Sequence, residues 1–214
     1  TPNRFTLHDL LRKYARTLAD AEGTASRAAV ERLANFYISA ADRADRLVHP
    51  YRPRTSLNPD DSITLPEIND VHAAENWLIA ESSNLSDTLD WITSHGSEHQ
   101  LALCVHVLTG LLDMHGHLAT AEPLLLRAVE HWATTRNSGA WARALLDLSG
   151  ARSQRSRYEE AISAAREARR LARASGDSEL EFECVNQMFI PLWQTGQYES
   201  AKSLQEQLLS SLSQ

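Results

Sequence analysis

Glycine and proline are scarce, eight and seven in 214 residues, and cysteine scarcer still at two. So few breakers exclude a collagen-like or loop-dominated chain, and two thiols cannot frame a disulfide scaffold. Valine and isoleucine number seven each, against 30 leucines and 29 alanines. Leucine and alanine favour helix and β-branched residues favour strand, so the ratio predicts an all-α fold. Basic residues are also in deficit, 21 Lys+Arg against 28 Asp+Glu for a net charge of -7. An indiscriminate nucleic-acid or anionic-membrane binder needs the opposite sign. No apolar run approaches the ~18 residues of a membrane span, and no cationic or apolar leader follows Thr1. These absences point to a cytoplasmic chain of one or two domains, and a start without methionine predicts a piece of a longer protein.

What is present is a repeat. Gly116-His117-Leu118-Ala119-Thr120-Ala121, Ser156-Arg157-Tyr158-Glu159-Glu160-Ala161 and Gly196-Gln197-Tyr198-Glu199-Ser200-Ala201 place their last alanines 40 residues apart. Other columns share the register: Ala128, Ala168 and Leu208; Leu108, Leu148 and Met188; Gly96 and Gly176; Cys104 and Cys184. The cysteines stand two periods apart, too distant for a disulfide, and are expected to be buried small residues. Each unit reads as helix, tight turn, helix, for instance Leu101–His115, Gly116 and Ala119–Thr134, with a small residue supplying a positive φ at the turn. The Gly/Ser-x-Tyr/Leu-x-x-Ala signature resembles the tetratricopeptide repeat (TPR). The 40-residue period alone would suit HEAT or armadillo units, the usual TPR length being ~34 residues. The aromatic and the small residue expected of helix A are Val105, Leu145, Val185 and Thr109, Ser149, Phe189, which predicts irregular geometry in the last copy.

Upstream, apolar spacing predicts helices over His8–Glu22 and Thr24–Val48. Four of the seven prolines fall in His49–Pro66, an extended connector. Asp70–Ser82 and Ser83–His95 read as a further helix pair, a divergent first repeat capping the array. The expected division is therefore 1–48 N-terminal helices, 49–69 connector and 70–214 repeat domain, with units 70–95, 96–135, 136–175 and 176–214.

Arg4-Phe5-Thr6-Leu7-His8-Asp9-Leu10-Leu11-Arg12-Lys13-Tyr14-Ala15 resembles the segment closing the winged-helix part of STAND-type nucleotide switches. The group is that of actinobacterial AfsR-like (SARP) activators of antibiotic and other secondary-metabolite biosynthesis. Leu47-Val48-His49-Pro50-Tyr51 is similar to the linker there, and Trp77-Leu78-Ile79-Ala80-Glu81-Ser82-Ser83-Asn84-Leu85 to the Trp-Leu-x-x-Glu-x-x-Asn-Leu segment that introduces the TPR array. The resemblance implies that residues 1–48 join an upstream winged-helix and NB-ARC switch, and that the chain is the helical arm of a transcription regulator. It also implies that His8, in a Met-His-Asp motif with Leu7 replacing Met, lies near the ADP phosphate of the full-length parent. Within this chain alone, a His-Asp pair at a helix start reads as capping.

No Gly-x-x-x-x-Gly-Lys-Ser/Thr loop is present, so no cofactor is expected here, ADP or ATP belonging to the parent's missing NB-ARC domain. Without a Gly-x-Ser-x-Gly elbow or a His-Glu-x-x-His helix, no catalytic residue and no enzyme activity are expected. His95, His99, His106, His115, His117 and His131 crowd one repeat, but their spacing across predicted breaks argues against a metal site. Arg152, Arg155, Arg157, Arg166, Arg169, Arg170 and Arg173 read as a solvated face that pairs locally or docks on another domain, with no direct nucleic-acid contact. The TPR resemblance implies a concave groove at Leu103, His106, Gly110 and Asp113; Arg143, Leu146, Gly150 and Ser153; Glu183, Asn186, Ile190 and Trp193. The expected partner is a protein, peptide or small-molecule effector there, besides intramolecular contact with the parent's other domains. The competing reading is a free-standing TPR scaffold with no switch.

Overall fold

The computed structural model describes residues 8–57, 63–114 and 121–212. Among them are nine helices and no strand: α1 (Asp9–Glu22), α2 (Thr24–Val48), α3 (Val71–His95), α4 (Glu98–Met114), α5 (Glu122–Thr134), α6 (Ser138–Gln154), α7 (Tyr158–Ser175), α8 (Ser178–Gln194) and α9 (Tyr198–Leu212). The Gly116 turn, His115, His117, Leu7 and the Leu208 side chain lie outside the described residues.

Helix starts recur at the same 40-residue interval. Ser97, Asn137 and Asp177 precede α4, α6 and α8, and each side chain accepts the backbone N–H three residues on, from Gln100, Ala140 and Leu180. Gln100 returns the favour to the Ser97 N–H at 3.1 Å, completing a capping box. The turns carry a second interval. Arg136, Ser156, Gly176 and Gly196 all have positive φ, 56°, 58°, 72° and 73°. Gly96, in the Gly176 column, has φ of -77° instead and ends α3 in extended backbone.

Consecutive helices pack on each other from α1 to α9, and α2, α4, α6 and α8 also touch in succession. The register alanines Ala121, Ala161 and Ala201 are all buried, and so are Leu108, Leu148 and Met188. Ser149 donates its hydroxyl to the Ala161 carbonyl at 2.9 Å, clamping α6 to α7 where the small residues allow close approach. Cys104 and Cys184 are fully buried and free.

The sequence expectation of a helix pair over Asp70–His95 is corrected. α3 is one 25-residue helix. No glycine or proline interrupts it, and its serine hydroxyls bond back to their own helix, Ser82 to the Ile79 carbonyl and Ser86 to the Ser82 carbonyl. The partner of α3 is therefore α2, across the proline-rich connector.

Candidate functional site

The described start of the connector does not loop away from the helices. Residues His49–Leu57 form a strap from the C-terminus of α2 across α4 to α6. Arg52 donates to Asp45 on α2 at 3.0 Å and to Asp147 on α6 at 3.1 Å, and also to the His106 carbonyl on α4. Arg54 donates to the Asp45 carboxylate and to the carbonyls of Asp45 and His49. His106 receives the Thr55 N–H on Nε2 at 3.2 Å, and its Nδ1 lies 2.5 Å from the Asp147 carboxylate and 3.2 Å from Arg52 Nη2. Gly110 makes room: a Cβ there would stand 2.6 Å from Asp45 Oδ1 and 2.9 Å from His49 Cε1.

Burial resists ionisation of Asp45, but Arg52, Arg54 and the His49 hydrogen bond outweigh it and hold the carboxyl below its ordinary value. Burial resists ionisation of Asp147 too, and Arg52 and His106 reverse it in the same direction. The two carboxylates are the anchors of the strap.

Beyond the strap lies a cleft of about 1300 Å³, walled by Pro50–Arg54 on one side and by α7 and the first half of α8 on the other. Three of the groove residues predicted from sequence line it: Arg143, Glu183 and Asn186. Arg143 is paired with Asp177 at 2.7 Å, and Asn186 donates to Glu183 at 3.4 Å.

The other predicted positions fall elsewhere. His106 and Gly110 are covered by the strap. Leu146 is buried in the core between α6, α7 and α8, and Leu103 packs half-buried on the α4, α5 and α6 cluster, so neither offers an open surface. The reason is geometric, since α4 and α6 each touch four other helices and so turn most of their circumference inward. Asp113 is exposed and accepts the Gln154 amide across to α6, Ser153 is half-buried, and the space at Gly150 is met by Gln187 at 3.1 Å. Ile190 and Trp193 are exposed at 66% and 62%, with Trp193 edge-on to Tyr198 at 5.0 Å. His8 caps α1, its Nδ1 accepting the Leu10 N–H at 3.4 Å.

The arginine face is corrected in part. Arg166 and Arg170 are exposed, but Arg169 is only 15% exposed and donates with Arg173 to Glu181 of α8. Arg152, Arg155 and Arg157 converge on the buried carboxylate of Glu122, which no spacing rule singled out. Among the described residues no three His, Cys, Asp or Glu side chains gather as metal ligands. No described helix is long and apolar enough to cross a membrane. Comparison with protein-family models, with curated proteins and with solved structures returns no match.

Proposed function

We propose that the chain is a non-catalytic binding arm of TPR-like helix-turn-helix units, stacked on a 40-residue period, in a STAND-type activator of secondary-metabolite genes. The observation that carries the binding reading is the strap-walled cleft, whose lining includes Arg143, Glu183 and Asn186. The buried columns at Ala121, Ala161 and Ala201 support the repeat assignment. The regulatory context rests on the resemblance of residues 4–15, 47–51 and 77–85. On this reading a protein, peptide or effector in the cleft biases a nucleotide switch elsewhere in the parent by contacting its two states differently. The arm works in the cytoplasm, without touching nucleic acid itself.

Reporter assays on the parent test it. Arg143→Glu and Asn186→Ala weaken the response to the inducing condition and leave ADP affinity unchanged, whereas His8→Ala loosens ADP and raises basal activation. A hydrogen bond to a charged phosphate is worth about 1.5–3 kcal/mol, enough for a shift of roughly ten- to a hundredfold. Calorimetry on residues 1–214 should detect no ADP binding. Tight ADP binding by this chain, or cleft variants that respond normally, would refute the division of labour.

A further inference from the structure

The strap lies on α2, α4 and α6. It is an extended segment held by arginines on carboxylates of α2 and α6, with Thr55 pinned through its backbone to His106. The cleft beside it is larger than the roughly 300–1000 Å³ of small-molecule pockets, and its charge decides what fits. Each of the six arginines on its lining already donates to a carboxylate, Arg46 to Asp42 and the rest as described above. An anionic ligand would compete with those carboxylates for the guanidinium groups. The carboxylates of α8 are less completely matched. Glu179 pairs with no cation among the described residues, and Glu183 receives only the Asn186 amide. Tyr51, 93% exposed, stands on the strap wall and Phe182, 38% exposed, on the α8 wall.

We propose that this cleft is the docking site for an extended, arginine-bearing segment of a partner protein, lying alongside the strap with guanidinium groups on Glu179 and Glu183 and against the rings of Tyr51 and Phe182. Arginine suits it better than lysine, because a planar fork bonds a carboxylate through two N–H groups while its face stacks on an aromatic ring. The inference rests on the binding-arm reading and narrows it to one ligand chemistry.

Panning a random dodecapeptide library against the whole chain, followed by anisotropy measurements on the enriched peptides, separates the two. Arginine should be enriched. Glu179→Lys/Glu183→Lys should weaken binding by roughly tenfold or more, while Glu130→Lys/Glu199→Lys, an equal charge change at exposed positions outside the cleft, should stay within about twofold. Lysine in place of the peptide arginines should weaken binding several-fold. Enriched peptides without arginine that are nevertheless lost with Phe182→Ala would overturn the arginine chemistry and leave the binding arm standing. No enrichment, or binding that no cleft variant alters, would overturn both.

Discussion

At the residue scale the strap is governed by Asp45 and Asp147. Both carboxyls titrate below their ordinary value in the folded chain. A group with a depressed folded pKa contributes stability that is present above its unfolded pKa and is lost as pH falls toward the folded one. Urea midpoints should therefore be level from neutral pH down to about 5, then fall below about 4, the ordinary aspartate range. Asp147→Ala leaves Arg52 to Asp45 alone and removes the carboxylate facing His106, and should cost about 1–3 kcal/mol at pH 7 while flattening the acid limb. An acid limb unchanged in that variant would remove the strap from the account. The cysteines give a second check. Burial pushes the thiols of Cys104 and Cys184 up to about 12, with Glu183 adding to the shift at Cys184. Thiolate is the reactive form, so a disulfide reagent should label both only at the rate of unfolding.

At the element scale two features decide how hairpins join. Arg136 and Ser156 occupy the left-handed region, where a Cβ costs about 1–2 kcal/mol, while Gly176 and Gly196 hold the corresponding turns without that strain. Ser156→Gly should raise stability by about 0.5–1 kcal/mol by calorimetric melting, and Gly176→Ala should lower it by about 1 kcal/mol. Ala161 is fully buried at the α6–α7 contact, so Ala161→Arg should cost ~3 kcal/mol or more through overpacking and an unpaired charge. Arg169→Ala should be felt more than Arg170→Ala, since Arg169 ties α7 to α8 and α9 through Glu181 and Gln207. The turn alanines and the small turn residues Ser156 and Gly196 were legible in the sequence because they are local requirements of a chain reversal. Arg136 was not, as nothing in its side chain announces a positive φ.

At the scale of the whole molecule, stability is unevenly shared. α1 packs only on α2 among the described helices and leaves Leu10, Leu11, Tyr14 and Leu18 exposed. Its amides should exchange with solvent fastest, and those of α6 and α7, flanked on both sides, slowest. Protection of α1 equal to that of α6 would contradict this gradient. The sequence by itself determined the helical class and the 40-residue register, because both follow from propensity and from which positions a helix buries. The TPR resemblance named Arg143, Glu183 and Asn186, which line the cleft, together with positions that lie elsewhere. Only the tertiary structure decided that residues 49–57 lie over His106 and Gly110, that α3 is one helix, and that Leu146 is core. The course of the strap depends on contacts such as Arg52 with Asp147, 95 residues apart in the chain. No local periodicity encodes them, and the energy of closing that loop is recovered only when the buried charges meet.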